Sequence, residues 1–344
     1  MSDLQQRPAL TPCGGSNEHP ERECFEVIDG RPVALTTRLT PTKENPRQGL
    51  PVERFLPAKQ RRMVGAWCFV DRFGPVDISD TEGMMVGPHP HTGLQTVTWL
   101  FEGSVQHRDS LANDVVIEPG QLNLMTAGQG ISHSEESPTE RPAGLHGIQL
   151  WIALPDHDRD QEPAFEHFES LPCLKLPGIR ATVLVGELGG VSSPARVWSK
   201  LVGAVVTVTE GAGQGANAWL PLRTRFEYAV LPIDGEVEVD GQPLSPEHLY
   251  YLGLHRDGVD LTSQRGARFL LLGGEPFGEE LVMWWNFVAR NHDEIVTARA
   301  LWNAHAPLFG RVSGSVAERI TAPVMPAGVL RPQQNTPSGQ SPAS

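Results

Sequence analysis

The chain has 344 residues, of which 39% are apolar and 20% are charged, a composition typical of soluble globular proteins. Its net charge of −13 would repel a phosphate backbone, so we expect no direct binding of DNA or RNA. The 35 glycines and 30 prolines favour many short strands joined by tight turns over long helices.

The N-terminal residues 1–30 are polar and contain prolines, so they predict a poorly ordered extension. This region has no apolar segment of the signal-peptide type, and no run in the chain approaches the ~20 apolar residues of a membrane span. The four cysteines, Cys13, Cys24, Cys68 and Cys173, form no CxxC pair, although the first two could in principle form a disulfide. We predict free thiols in a cytoplasmic protein without membrane contact.

The central part of the chain is strand-like. Residues 96–101 alternate threonine with larger apolar residues. In HGIQLWIAL (146–154), alternation places three aliphatic residues on one face and Gln149 and Trp151 on the other. The segments 118–120 and 127–130 carry turn residues. These patterns predict an all-β fold.

The two halves of the chain echo one another weakly. VTWLFEGSVQHRD followed by IEPGQLNLMTAG resembles FEYAVLPIDGEVEVDG followed by LSPEHLYYLG, each reading as strands separated by glycine and proline turns. The echo predicts a duplicated barrel, with a first unit over residues 31–160 and a second unit over residues 161–320. Potential metal ligands at short spacing occur in the first half alone, so we expect no metal site in the second unit.

One helix is predicted near the C-terminal end. Asn291 can cap it, and Glu294 stands at the third helical position, as in a capping box. Ile295, Ala298 and Trp302 would share one face, which is typical of a helix packed over a barrel. Residues 321–344 are rich in proline and small polar residues and predict a disordered tail.

Two pairs of potential metal ligands stand out in the first half. His89 and His91 flank Pro90, and His133 and Glu135 follow a glycine turn. Alternate residues of a strand point to one face with Cα atoms ~6.6 Å apart, so each pair can aim two donors at one point. Two such pairs on facing strands would offer three imidazoles and a carboxylate, a set that suits a transition metal with open coordination positions. The alternative is that the histidines are packing residues and Glu135 lies in a solvated acidic loop.

Residues 83–103, GMMVGPHPHTGLQTVTWLFEG, resemble the first motif of the cupin superfamily, with Gln95 where a glutamate ligand usually falls. Together with MTAGQGISHSE (125–135), they resemble the pirin family, in which an HPH segment and a His-x-Glu segment hold the metal. The resemblance implies four ligands, which are His89, His91, His133 and Glu135. It extends to residues 64–75, 146–151 and 273–288, and departs from human-type pirins at Thr92, Leu94 and Gln95.

The resemblance implies two tandem double-stranded β-helix (cupin, jelly-roll-like) barrels with a short C-terminal helix. It also implies a mononuclear metal in the first barrel, with Fe(II) as the first choice and other divalent transition metals compatible with the ligands. Some pirins cleave flavonols such as quercetin with dioxygen. A quercetin 2,3-dioxygenase-like activity would need a small aromatic substrate and dioxygen, with Glu135 as the catalytic base.

Other pirins are described as iron-dependent, redox-sensing regulators that act through a protein partner, and this is the alternative function. A third interpretation is a cupin kept for its structure, with an incidental metal. No separate organic cofactor is expected, and we expect a monomer.

Overall fold

The computed structural model describes residues 25–28, 31–34, 37–39, 42–44, 50–58, 61–209, 217–262 and 267–332. These residues are mostly in β-strands, with a single α-helix among them, α1 (His292–Asn303), and a short 3-10 helix (Pro307–Phe309). In chain order the strands are β1 (Phe25–Ile28), β2 (Arg31–Ala34), β3 (Thr37–Leu39), β4 (Thr42–Glu44), β5 (Val52–Leu56), β6 (Trp67–Asp77), β7 (Met85–His91), β8 (Leu94–Glu102), β9 (Val105–Asp109), β10 (Asp114–Ile117), β11 (Leu122–Thr126), β12 (Ile131–Glu136), β13 (Gly144–Ala153), β14 (Ala164–Phe168), β15 (Cys173–Leu176), β16 (Ile179–Leu188), β17 (Val191–Ser192), β18 (Leu201–Val208), β19 (Asn217–Pro221), β20 (Glu227–Asp234), β21 (Val237–Val239), β22 (Gln242–Leu244), β23 (Leu249–Gly253), β24 (Gly258–Thr262), β25 (Arg268–Gly274), β26 (Val282–Trp284) and β27 (Phe287–Ala289).

Four antiparallel sheets build two tandem cupin units. The first unit pairs a seven-stranded sheet, β14-β11-β8-β13-β6-β5-β4, with a four-stranded sheet, β10-β9-β12-β7. The second unit pairs an eight-stranded sheet, β15-β16-β18-β25-β20-β23-β3 with β17 added beside β16, with a four-stranded sheet, β19-β24-β21-β22. The two sheets of each unit face one another without closing into a continuous hydrogen-bonded barrel. The predicted all-β tandem cupin fold is confirmed, although the units are open rather than closed.

The two large sheets pack face to face and bury the core between the units. The strand alternation predicted over residues 146–154 is confirmed, because the aliphatic face of β13 lies in this core while Gln149 and Trp151 point to the interior of the first unit. Burying each aliphatic side chain stabilises the fold by about 1.5–3 kcal/mol. The core residues from the first unit include Val97, Leu124, Ile148, Leu150 and Ile152, and those from the second unit include Leu184, Val205, Leu231, Leu270 and Leu272.

A buried charged network ties the units together. One oxygen of Glu227 accepts hydrogen bonds from Arg61 Nη1 at 3.1 Å and from the Tyr251 hydroxyl at 2.7 Å. The other oxygen accepts from the backbone N–H of Gly65, and the Arg61 guanidinium lies over the Tyr251 ring. Because the pair is buried, removal of one partner would leave an uncompensated charge in the core.

Two strands, β14 and β3, each belong to one half of the chain and pair with a sheet of the other half. β14 follows residue 160, yet it pairs with β11 of the first unit along residues 122–126. β3 pairs with β23 of the second unit. The boundaries set from the sequence at residues 30, 160 and 320 stay a prediction, and these pairings show that strands on either side of residue 160 are interleaved.

Helix α1 begins as the sequence predicts. The Asn291 side chain accepts a hydrogen bond from Glu294 N at 3.0 Å, and Ile295, Ala298 and Trp302 are the buried face. The following segment returns to the first unit, where Ile320 N donates to Pro88 O at 2.9 Å. Within the segment predicted as a tail, Ala322 N donates to Asn303 Oδ1 at 3.0 Å, and residues 333–344 lie outside the described residues.

Cys68 and Cys173 are free thiols, as predicted. Residues 1–24 and 29–30 of the predicted N-terminal extension, including Cys13 and Cys24, lie outside the described residues, whereas residues 25–28 form strand β1. Neither helical segment in the described ranges has the length and apolar character needed to cross a membrane.

Candidate metal centre

Adjacent strands of the four-stranded sheet bring three histidines together. β7 carries His89 and His91 on one face, and β12 carries His133 directly opposite His89. All three side chains are buried, and their donor nitrogens lie within 4.8 Å of one another. Pro90 has no backbone N–H to donate to a neighbouring strand. It lies in β7, an edge strand of the sheet, where the missing hydrogen bond costs least. Within the described residues, this is the one group of three or more histidine, cysteine or acidic side chains close enough together to hold a metal ion.

The ring nitrogens are spaced as metal ligands are. His91 Nε2 and His133 Nε2 lie 3.1 Å apart, and the rings of His89 and His133 have centroids 4.4 Å apart. Two nitrogens bound at about 2.1 Å and at a right angle around one ion would be about 3.0 Å apart. The observed separation therefore fits two ligands of a common ion.

Backbone carbonyls orient two of the rings. His89 Nδ1 lies 2.9 Å from Gly87 O, and His91 Nδ1 lies 3.0 Å from Asn286 O. A carbonyl oxygen can accept but not donate, so each Nδ1 carries the proton, and in a neutral imidazole Nε2 then presents its lone pair. Both lone pairs lie in the cluster, which is the tautomer that metal coordination needs.

His133 is oriented by side chains instead. Its Nδ1 lies 3.4 Å from His107 Nδ1, and His107 Nε2 lies 3.1 Å from Asp109 Oδ2. His107 therefore connects Asp109 to His133. His146, another buried histidine of this unit, lies against Phe101 and contacts none of the three ligands.

Burial favours the neutral form of two of the three histidines. Burial, followed by the proximity of His89, holds the pKa of both His91 and His133 well below the usual range. Neutral imidazoles can donate lone pairs to a cation at neutral pH. Three buried imidazole donors, two of them with nitrogens 3.1 Å apart, therefore fit a divalent metal ion.

Glu135 lies beside the three-histidine group and is not part of it. The register of β12 against β7 shifts between His133 and Glu135, so Glu135 pairs with Val86. Such a bulge re-aims a side chain. Thr98 Oγ1 lies 3.4 Å from Glu135 Oε1, and burial raises the pKa of Glu135. Its roles as fourth ligand and catalytic base stay predictions.

Aromatic side chains lie next to the three histidines. The Trp151 ring meets the His91 ring edge-on with centroids 5.1 Å apart, and Phe69 stacks on Trp151 at 3.9 Å. Phe165 stacks on His107 at 4.4 Å. Leu94 and Met125 pack in the same cluster as Trp151, whereas Trp99 and Leu124 lie in the core between the units.

Polar side chains also face this interior. Thr98 Oγ1 donates to Gln149 Oε1 at 2.8 Å. Asn123 lies on β11, directly opposite Thr98 of β8. Its side-chain oxygen accepts a hydrogen bond from His167 Nδ1 at 2.7 Å, while its buried amide nitrogen has no hydrogen-bond partner. Sequence reasoning missed Asn123, although its place between two core leucines of an alternating strand was the available signal.

Gln95 does not face the cluster. Its amide donates to Thr126 Oγ1 at 3.0 Å and to Arg196 O at 2.9 Å. The cupin position that usually carries a glutamate ligand therefore serves contact with the second unit here. In that unit the corresponding interior is an apolar cluster that includes Val206, Phe226 and Phe269.

Comparisons with known proteins show the family to which the chain belongs. The Pirin family model matches residues 49–152, and the model of the Pirin C-terminal cupin domain matches residues 211–306. A Pseudomonas aeruginosa protein named "Putative quercetin 2,3-dioxygenase" is 46% identical over 327 residues, which cover 95% of this chain and 98% of that protein. Human pirin is 31% identical over 219 residues, covering 61% of this chain and 73% of its own length.

A solved structure extends the likeness to the fold. The crystal structure of a quercetin 2,3-dioxygenase from Acinetobacter baumannii superposes with a TM-score of 0.82 at 41% identity, covering 87% of this chain and 98% of that chain.

Proposed function

Because this chain belongs to the pirin family, we propose that it is a metal-dependent dioxygenase acting on flavonols such as quercetin. The observation that carries the proposal is the convergence of three buried imidazoles, next to the Trp151 ring and two residues from the buried Glu135. Relatives named for this activity at 46% and 41% identity support the substrate class.

We assign the metal to His89, His91 and His133, with Glu135 recruited as the fourth ligand. Fe(II) is the proposed ion, and other divalent transition metals suit the same donors. When bound, the ion would lower the pKa of a coordinated hydroxyl and hold substrate beside dioxygen. Three neutral ligands and one carboxylate would leave a divalent site with net positive charge, which favours an enolate over an enol.

Glu135 is proposed to take the proton of the flavonol hydroxyl. Burial raises its pKa, with His107 and the Thr98 hydrogen bond acting in the opposite direction. A carboxylate with a raised pKa holds an abstracted proton better than an exposed one, and it can act near neutral pH. The Thr98 hydroxyl lies 3.4 Å from the Glu135 carboxyl group.

The side chains around the histidines have the chemistry to bind a flat, mostly aromatic molecule with a few oxygen atoms. Trp151 and Phe165 offer ring faces and edges near the cluster. Asn123 has a buried amide nitrogen without a partner, and His167 holds its oxygen, so the amide hydrogens are left for a substrate oxygen. Offset stacking and one such hydrogen bond would orient the substrate without further charge.

The test is consumption of quercetin in air by the full chain loaded with Fe(II), followed at the long-wavelength absorbance band. We expect turnover by the wild type and none by His91→Ala, which removes a ligand. The control is His146→Phe, a buried histidine of the same unit that lies against Phe101 and contacts none of the ligands. Absence of turnover by wild-type protein with stoichiometric iron would refute the flavonol proposal.

One observation favours a second candidate, a redox-responsive regulator with a protein partner. The carbonyl that orients His91 belongs to Asn286, in the turn of the β26–β27 hairpin, which also carries the half-buried Trp284 and Trp285. A change of metal charge would act on this hairpin through His91. Equal partner binding by Fe(II), Fe(III) and metal-free protein would refute this function. A monomeric state and a cytoplasmic location stay predictions from the sequence.

A further inference from the structure

Two buried residues of β9 stand behind His133. Asp109 lies directly opposite His133 in the sheet, and His107 lies opposite Glu135. Asp109 is 1% exposed and His107 is 3% exposed, so neither exchanges its partners for solvent. Through the His107 imidazole, the Asp109 carboxylate is connected to the three-histidine group.

Asp109 can only accept hydrogen bonds in this position. Its Oδ1 accepts from the backbone N–H groups of Leu111 at 2.9 Å and Asn113 at 3.1 Å. Its Oδ2 accepts from Asn113 Nδ2 at 2.9 Å and faces His107 Nε2 at 3.1 Å. Burial raises the pKa of Asp109, but the hydrogen bonds from His107 and Asn113 outweigh burial and leave it below the usual range. The proton between Asp109 and His107 therefore resides on His107 Nε2.

The direction of this hydrogen bond sets the next one. In its neutral form, His107 with its proton on Nε2 presents a lone pair at Nδ1, and His133 Nδ1 would then donate across the 3.4 Å contact. His133 Nε2 is then left with its lone pair, 3.1 Å from His91 Nε2. His89 and His91 are oriented by neutral backbone carbonyls. His133 is oriented by His107, which is itself hydrogen-bonded to the Asp109 carboxylate.

We propose that Asp109 and His107 are positioning residues, which keep the proton of His133 on Nδ1 and strengthen Nε2 as a metal ligand. The Phe165 ring, stacked on His107 at 4.4 Å and 11°, holds the imidazole of this relay in plane. Negative charge at the end of such a hydrogen-bonded pair makes the coordinating nitrogen more basic. The relay rests on the metal centre proposed above and is independent of the substrate.

The decisive variant is Asp109→Asn, which preserves shape and reverses hydrogen-bond polarity. The amide oxygen must face the N–H groups of Leu111 and Asn113, so the amide nitrogen would face His107 Nε2. His107 would then carry its proton on Nδ1 and force that of His133 onto Nε2, where a metal must bind. We expect Co(II) affinity, measured by titration of the full chain, to fall about 10–100-fold.

A second readout needs no metal. In metal-free, ¹⁵N-labelled protein, we expect the proton of His133 on Nδ1 in the wild type and on Nε2 in Asp109→Asn. A merely structural role for Asp109 would change the melting temperature of the metal-free protein without moving this proton.

A further pair of variants serves if Asp109→Asn does not fold. His107→Phe keeps the stack on Phe165 and loses both hydrogen bonds, so Co(II) affinity should fall. His107→Gln can donate to Asp109 and accept from His133, so it should recover most of that affinity. His146→Phe is the matched control and should bind Co(II) as the wild type does.

Equal Co(II) affinity in the wild type, Asp109→Asn and His107→Phe would overturn the relay, as would a wild-type His133 protonated on Nε2. A wild type that binds no Co(II) would overturn the relay together with the metal centre. Neither readout uses quercetin, so an intact relay in a protein without flavonol turnover would refute the substrate proposal alone.

Discussion

Acidification from pH 7 to pH 5.5 should destabilise the metal-free protein through His91 and His133. Burial, followed by the proximity of His89, keeps the pKa of both well below the usual range, so the folded state leaves them unprotonated over this interval. In the unfolded chain both titrate near the ordinary value of about 6.5. The unfolded state therefore binds more protons, and stability is lost as the pH falls through about 6.5.

The size of the effect follows from the number of buried groups. Each histidine costs about 1.4 kcal/mol for every pH unit below its unfolded pKa, so the interval is worth about 1 kcal/mol per group and about 2–3 kcal/mol for the pair. The effect of Glu135 on the pH dependence of stability has the opposite sign. Burial raises the pKa of Glu135 in the folded state, so its contribution to stability is lost as the pH rises through this raised pKa. The variant Glu135→Gln removes this opposing contribution and is the background of choice.

Urea unfolding in the presence of a chelator, followed by tryptophan fluorescence at both pH values, gives the two free energies of unfolding. The matched comparison is Glu135→Gln with and without His133→Phe, which should reduce the loss on acidification by about 1 kcal/mol. An identical loss with and without His133 would refute the claim that this ring is buried and neutral in the folded protein.

Three further predictions concern the site and the contact between the units. Glu135→Gln should lower kcat for quercetin by about 10²–10⁴-fold, as loss of a general base does, and an unchanged rate at full metal content would contradict that role. Asn123→Leu should raise KM by about 2–12-fold, the worth of one hydrogen bond, while Co(II) affinity stays unchanged; a change of Co(II) affinity with KM unaltered would contradict the assignment. Glu227→Leu should destabilise the protein by about 3–5 kcal/mol because Arg61 would be left charged and buried, and an unchanged urea midpoint would show that the network contributes little.

Local periodicity was enough to identify the ligand strands. Because side chains alternate along a strand, the spacing of His89 and His91 required that they share a face, and they do. The same rule sorted the two faces of β13, and the Asn291 cap followed from local chemistry at the helix start. Each of these features depends on residues within a few positions of one another.

Tertiary packing decided what surrounds the ligands. The carbonyl on His91 comes from Asn286, which is 195 positions away along the chain, and His133 is oriented by a residue 26 positions before it. The shift in register after His133 leaves Glu135 beside the histidine group, although its spacing alone allowed it to converge with them.

The sequence alone was sufficient to predict the fold class, the family resemblance and the three histidines of the candidate site. It was sufficient because side-chain alternation and short motifs depend on residues that are close together along the chain. The tautomers of those histidines, the reach of Glu135 and the partners behind His133 depend on which strands pair and in what register. Register is set by packing of side chains from distant segments, so these features were decided in the folded structure alone.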